Sequence, residues 1–220
     1  MKLRFEDLSN QLPQGLLPVY IVSGDEPLQH GEACDDIRAQ ARQQGFNERQ
    51  VMHAEKSFDW EEFLTECNSM SLFAEQRLLE LRLPTGKPGD KGAKALLQFA
   101  AAPPEDTVLL VICGKLDAAT QRSKWFTALQ DIGASVQVWP VEVKMLPNWI
   151  KRRMQQHGLK PSADAVELLA ERVEGNLLAA AQEIEKLKLL HGDASIDFDM
   201  MAAAVADSAR YDIYGLVDAA

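Results

Sequence analysis

The sequence predicts an α/β protein: a parallel five-stranded sheet with flanking helices, followed by a small all-α helical domain. Two observations predict this fold class. Up to about residue 140, short apolar runs typical of buried strands alternate with amphipathic stretches typical of helices. After Pro140 only the helical periodicity remains. In this chain of 220 residues we therefore expect an α/β domain over residues 1–140 and a helical domain over residues 141–210.

Five apolar runs are the candidate strands of the sheet. They cover residues 19–22, 49–53, 78–83, 107–113 and 135–139. A helical stretch separates each run from the next, and a helix between two strands returns the chain to the edge of the sheet where the first strand began. The alternation therefore predicts parallel strands with helices on both faces.

The candidate helices are identified by apolar residues that recur every three or four positions and by capping residues. In the first domain they cover residues 29–44, 91–101 and 120–129, together with a helix that begins near Trp60. Asp59 and Glu62 are placed as the capping box of that helix. Its predicted apolar face consists of Trp60, Phe63, Leu64, Cys67 and Met70. In the second domain the candidate helices cover residues 146–157, 163–173, 177–191 and 198–206.

The charge of the chain argues against a protein whose main task is to hold nucleic acid. There are 23 Lys and Arg residues against 33 Asp and Glu residues, a formal net charge of −10, whereas binding to phosphates depends on clustered cations. One basic cluster surrounds Trp149. Its residues Lys151, Arg152 and Arg153 are candidates for a contact with the DNA backbone, and the alternative interpretation is the solvated face of a helix.

The cysteine and histidine residues predict neither disulfide bonds nor a metal site. Cys34, Cys67 and Cys113 are odd in number and widely spaced, and the four histidines have no partner at the spacing of metal ligands. No run reaches the roughly 18 apolar residues of a membrane span. We expect a protein of the cytoplasm that binds no metal, cofactor or membrane.

A five-stranded α/β unit followed by a small helical unit is the layout of AAA+ ATPases, but the residues that would bind ATP are missing. The loop after the first predicted strand lacks a lysine and contains Asp25 and Glu26, which would repel phosphate. Residues 78–83 do not end in the Asp-Glu pair that would hold magnesium. Leu178 stands where the helical unit would carry an arginine. These differences predict a domain without a catalytic or nucleotide site.

The segment after the helix that begins near Trp60 is the candidate binding site. At helical spacing, Leu72 and Phe73 fall outside the apolar face that includes Phe63 and Met70. If the helix continues that far, both side chains point away from the core, and their burial in a partner would contribute roughly 1.5–3 kcal/mol each. In the alternative, the helix ends near Met70 and the pair folds back over the edge of the sheet. The sequence pattern is compatible with both arrangements.

Three stretches resemble the delta subunit family of the bacterial DNA polymerase III clamp loader, particularly its gammaproteobacterial members. They are residues 70–74, residues 125–129, and residues 174–187. The resemblance implies an AAA+-like fold that binds no ATP and opens the ring of the beta sliding clamp. Leu72 and Phe73, with Met70, match the residues that enter a pocket of the clamp in that family. Ser69 stands where the related clamp-binding pentapeptide has glutamine.

The resemblance also implies the partners and the remaining domain. Besides the clamp, these are the gamma/tau and delta-prime subunits, with primed DNA reached through the complex. Members of the family carry a C-terminal helical collar, of which residues 211–220 would be the truncated beginning. The alternative functions are an ATPase or kinase with an atypical loop, and a DNA-binding adaptor that uses the basic residues near Trp149.

Overall fold

The computed structural model describes residues 1–68 and 76–206, and the chain divides into two compact units. The first unit is Met1–Trp139 and the second is Pro140–Ala220. Each unit has its own core.

The first unit contains a parallel sheet, as predicted, but the sheet has six strands rather than five. The strands are β1 (Lys2–Arg4), β2 (Val19–Gly24), β3 (Phe46–His53), β4 (Gln76–Leu83), β5 (Thr107–Cys113) and β6 (Ala134–Val138). Their order across the sheet is β1-β6-β2-β5-β4-β3, and each neighbouring pair is parallel. All strands therefore begin at one edge, here called the amino edge, and end at the opposite carboxyl edge.

The additional strand, β1, carries no pattern that the sequence could reveal. Only Leu3 among its three residues is partly buried, so there is no apolar run to detect. Backbone contacts hold it instead, because β1 pairs with β6 and the amide of Ser135 donates to the carbonyl of Met1 at 2.9 Å. The terminal ammonium of Met1 also donates to the carbonyl of Gln130 at 2.6 Å.

Six helices cover the two faces of this sheet within the described residues. They are α1 (Phe5–Gln11), α2 (Pro27–Gln43), α3 (Trp60–Asn68), α4 (Gly89–Ala101), α5 (Ala118–Gln121) and α6 (Lys124–Ile132). The helix predicted at 120–129 is two helices, α5 and α6. Asp117 caps the first through the amide of Thr120 at 2.6 Å, and Ser123 lies in an extended conformation at the start of the second.

Alternation along the strands divides the core of the first unit into two layers. In β2, Val19 and Ile21 belong to one buried cluster and Tyr20 and Val22 belong to the other, as expected when successive side chains point to opposite faces. The first cluster also contains residues of α3, α4 and α6, namely Phe63, Cys67, Ala95, Leu96, Phe99, Trp125, Phe126 and Leu129. The second contains residues of α1 and α2, namely Leu8, Ala33, Cys34, Ile37 and Ala41.

The second unit is helical, with one small departure from the predicted all-α composition. Its helices are α7 (Leu146–Gln156), α8 (Ala163–Val173), α9 (Leu177–His191) and α10 (198–206). Two short strands pair in parallel: β7 (Lys160–Pro161), which lies between α7 and α8, and β8 (Ser195–Ile196), which lies between α9 and α10. Two-residue strands have too little sequence for a periodic signal, so the sequence could not predict this pair.

Candidate functional site

The predicted binding residues Met70, Leu72 and Phe73 lie outside the described residues, so their role stays a prediction. The structure does describe the elements on either side. Helix α3 ends at Asn68, and β4 begins at Gln76. Because β4 begins at the amino edge of the sheet, the chain enters the sheet there directly after the predicted binding segment.

Helix α3 begins at the predicted cap. The carboxylate of Asp59 accepts hydrogen bonds from the amides of Glu61 and Glu62, at 2.8 and 3.1 Å. The bonds from the amides of Glu62 and Glu61 favour the charged form and hold the pKa of Asp59 below its usual value. The start of the helix is therefore fixed by a charge-assisted cap.

The predicted apolar face of α3 packs into the first unit. Phe63 and Cys67 are buried, and the ring of Trp60 meets the rings of Phe58 and Phe63 edge to face, with centroids 4.9 and 5.7 Å apart. Trp60 also lies against α4 at Gly92, where an added Cβ would stand 2.4 Å from the indole. Helix α3 is thus packed against the core of the first unit up to the point where the predicted binding segment begins.

The carboxyl edge of the sheet, where an AAA+ protein would bind nucleotide, is occupied by the chain itself. The carboxylate of Glu26 accepts from the amides of Leu28 and Gln29, at 3.2 and 2.7 Å. Glu26 is only 6% exposed. Amides at the start of a helix are the groups that bind phosphate in nucleotide sites. Here they bind the side-chain carboxylate of Glu26. The sequence did not predict this helix cap, although Pro27 at the first helical position signals a helix start.

Further contacts hold the loop between β2 and α2. Nε2 of His30 lies 3.0 Å from the carbonyl oxygen of Cys113, at the end of β5. Asp25 forms an ion pair with Lys115, with a distance of 3.0 Å between Oδ2 and Nζ. Gly24 lies so close to β6 that an added Cβ would stand 2.0 Å from the carbonyl oxygen of Val138. The loop is therefore bound to its neighbours through its own polar groups.

The basic residues of α7 do not all share one exposed surface. Lys151 and Arg152 are exposed, whereas Arg153 is partly buried and its guanidinium carbon lies 5.5 Å from the centre of the Trp149 ring. A cation over an aromatic face is a stabilising contact within the unit. Two of the three predicted DNA contacts are thus accessible, and their role stays a prediction.

The described residues contain no group of three or more His, Cys, Asp or Glu side chains that could hold a metal ion. In the same part of the chain, no helix is both long and apolar enough to cross a membrane. The three cysteines are buried and unpaired. Burial raises the pKa of Cys34 to about 11 and the pKa of Cys67 to about 12, so these thiols are protonated at neutral pH.

Comparison with solved structures identifies the fold. The chain is similar to a DNA clamp loader delta protein of Bacillus subtilis, with a TM-score of 0.69 and 23% identity, over 90% of this chain and 61% of that one. It is also similar to the RuvB Holliday junction branch migration motor of Thermotoga maritima, with a TM-score of 0.53 and 14% identity, over 91% of this chain and 68% of that one. At these identities both comparisons show the fold alone.

Comparison of sequences identifies the family. The chain is 34% identical to DNA polymerase III subunit delta of Escherichia coli K12 over its whole length, and 29% identical to the Haemophilus influenzae subunit over 97% of its length. It spans 64% and 63% of the lengths of these two relatives. Residues 20–138 match the family model described as DNA polymerase III, delta subunit. The chain therefore belongs to the DNA polymerase III delta subunit family, as the resemblance of its motifs predicts.

Proposed function

We propose that the protein is a clamp-loader subunit that binds the beta sliding clamp and opens its ring for loading onto primed DNA. The observation that carries this proposal is the match of residues 20–138 to the delta subunit family. Its relatives from Escherichia coli and Haemophilus influenzae are subunits of DNA polymerase III. The protein would work in the bacterial cytoplasm with the gamma/tau and delta-prime subunits, and would reach primed DNA through that complex.

Leu72 and Phe73, assisted by Met70, are the proposed contact with the clamp. The described part of α3 supports this assignment because Phe63 and Cys67 are its buried residues. If helical spacing continues to Leu72, that residue falls about 180° from Phe63, counted at about 100° per residue. Two adjacent large apolar side chains are the kind of residues that form interface hot spots.

The proposed mechanism is mechanical. Binding can open the clamp only if Leu72 and Phe73 bind the open or strained ring more tightly than the closed ring, because a ligand shifts an equilibrium by its differential affinity alone. No chemical step on this chain is required.

We also propose that the chain has no nucleotide site and that ATP acts on other subunits. Glu26 supports this proposal because its carboxylate takes the amides of Leu28 and Gln29, which a phosphate would need. The ion pair between Asp25 and Lys115 also takes a nearby cation. A phosphate would have to displace these groups and accept a position beside two carboxylates.

Surface plasmon resonance with the clamp of the same organism, without nucleotide, tests the proposed contact. We expect the double variant Leu72→Ser/Phe73→Ser to lose at least about 100-fold in affinity, since burial of each side chain would contribute roughly 1.5–3 kcal/mol to binding. The matched control is Leu189→Ser/Leu190→Ser, because these adjacent leucines of α9 are 85% and 66% exposed. Circular dichroism verifies that both double variants are folded.

The outcomes separate the candidate functions. Binding that is lost in the first double variant and kept in the control supports the proposal. Equal binding by wild type and both double variants would show that the clamp contact lies elsewhere. If the wild type binds DNA with a steep salt dependence and does not bind the clamp, the function of a DNA-binding adaptor through Lys151 and Arg152 would replace the proposed clamp-loader function. ATP binding by the wild type would restore the ATPase alternative.

A further inference from the structure

Arg77, the second residue of β4, is a buried cation whose side chain contacts three of the described residues. Its side chain is 3% exposed. Nη2 donates to the carbonyl of Cys67 at 3.1 Å, and Nε donates to the hydroxyl of Thr107 at 3.2 Å. Nη1 lies 3.5 Å from a carboxylate oxygen of Glu66. A buried guanidinium is destabilising unless its donors are satisfied, so these partners keep it in place.

The contacts of Arg77 join two elements that are separate in the sequence. Cys67 and Glu66 belong to the last turn of α3, where helix carbonyls need partners from outside the helix. Thr107 is the first residue of β5 and lies opposite Arg77 in the sheet. One side chain therefore links the end of α3 to the amino edge of the sheet.

The backbone of Arg77 is held at the same point. Its amide donates to the carbonyl of Asp106 at 2.9 Å. The hydroxyl of Thr107 donates to the carboxylate of Asp106 at 3.0 Å, which orients the hydroxyl oxygen toward Arg77 as an acceptor. Both the backbone and the side chain of Arg77 are thus fixed against β5.

These contacts enclose the predicted binding segment in the sequence. Residues 69–75 leave α3 after Asn68 and enter β4 at Gln76, one residue before Arg77. The guanidinium binds Cys67, one residue before Asn68. The side chain of Arg77 therefore links a residue just before the segment to a residue just after it.

We infer that Arg77 is a positioning residue for the clamp-binding segment, an inference that rests on the proposed function. By fixing both ends, Arg77 limits the arrangements in which Leu72 and Phe73 are presented to the clamp. Restricting a binding segment before it binds strengthens binding, because less freedom is lost in the complex. Arg77 acts through the segment and does not itself contact the clamp.

The test compares Arg77→Lys with Arg38→Lys. Lysine keeps the charge but lacks the planar fork that reaches Cys67 and Thr107 together. Arg38 is the matched control: its guanidinium donates to Glu80 on the same strand, with Nε at 2.7 Å and Nη2 at 2.8 Å, and also to Asp35. Both variants weaken an arginine side chain that holds β4, because Arg77 lies on β4 and Arg38 of α2 donates to Glu80 of β4. Only the first variant separates α3 from the amino edge.

Hydrogen exchange of the free protein is the first readout. We expect the amides of residues 66–76 to exchange about tenfold faster in Arg77→Lys and within about twofold of wild type in Arg38→Lys. A general loss of stability would accelerate exchange in both variants and throughout the sheet, so it would not produce this difference. Unchanged exchange in Arg77→Lys, or equal acceleration in both variants, would overturn the inference.

Clamp binding is the second readout, measured at a temperature where both variants are folded. We expect Arg77→Lys to weaken binding about tenfold, and Arg38→Lys to leave it within about twofold of wild type. Equal affinities for Arg77→Lys and wild type would overturn the role in clamp binding. If wild type itself does not bind the clamp, the proposed function fails, and the exchange comparison alone decides whether Arg77 fixes the segment.

Discussion

At the carboxyl edge of the sheet the chain satisfies its own polar groups, whereas at the amino edge it fixes the two ends of a segment that carries two large apolar residues. Glu26 takes the helix amides at the first edge, and His30 contacts the carbonyl of Cys113. At the second edge, Arg77 ties Cys67 to the start of β4. The amides at the start of α2 are thus already bound within the chain at the carboxyl edge, whereas the two ends of the segment proposed to bind the clamp are joined at the amino edge.

The largest expected effect on stability lies between the two edges, at Glu80 of β4. Its carboxylate is fully buried and accepts hydrogen bonds from Arg38 of α2 and Arg49 of β3. Removing one partner of a buried ion pair costs about 3–5 kcal/mol, so Glu80→Gln should lower the free energy of unfolding by about that amount. Urea unfolding at pH 7 measures it, with the exposed Glu48→Gln as a control expected to stay within about 0.5 kcal/mol.

Acid should weaken the same contact in a defined range. Burial alone would raise the pKa of Glu80, but the hydrogen bonds from Arg38 and Arg49 outweigh burial and lower it from 4.5 to about 2. The ionised form therefore contributes its full stability above pH 4.5 and loses it as the pH falls toward 2. The difference in unfolding free energy between wild type and Glu80→Gln should shrink over that range. A difference that stays constant would contradict this assignment.

Clamp binding by Glu80→Gln tests whether the amino edge acts independently of the rest of the sheet. The variant leaves the contacts of Arg77 in place, so at a temperature where it is folded its affinity for the clamp should equal that of wild type. A loss of clamp affinity in the folded variant would show that binding depends on the stability of the whole sheet rather than on the amino edge.

A smaller effect is expected at the carboxyl edge itself. Glu26→Ala removes the cap of α2 and should lower the free energy of unfolding by about 1 kcal/mol, measured by urea unfolding. Clamp affinity should not change, because the contact with Leu28 and Gln29 lies at the opposite edge from the binding segment. Because Glu26 already binds the amides at the start of α2, its removal should not weaken ATP binding. Tighter ATP binding by wild type than by Glu26→Ala would contradict this expectation.

Much of the fold follows from periodicity, because buried strands and amphipathic helices leave regular apolar patterns. The bounds of α8 and α9 coincide with those predicted, helped by the caps Ser162 and Asn176, which accept from Ala165 and Ala179. Strand β1 was missed because its three residues include one apolar side chain, Leu3, and its place in the sheet depends on backbone pairing with β6. Pairing between distant backbone segments leaves no local pattern.

The candidate site was only partly predictable for a related reason. The absence of a lysine in the loop at Gly24 is visible in the sequence, and so is the apolar pair Leu72 and Phe73. The role of Arg77 depends on its contacts with Cys67 and Thr107, and that residue lies 10 and 30 positions away from them. A charged residue in a strand looks like a solvent-facing position until the fold supplies its partners.

We propose that this chain opens the clamp by binding alone. A pair of fluorophores placed across one interface of the clamp ring reports opening as a loss of energy transfer when the protein is added without nucleotide. We predict a loss with wild type and none with Leu72→Ser/Phe73→Ser at the same saturating concentration. No change with wild type, or opening that requires ATP bound to this chain, would contradict the claim.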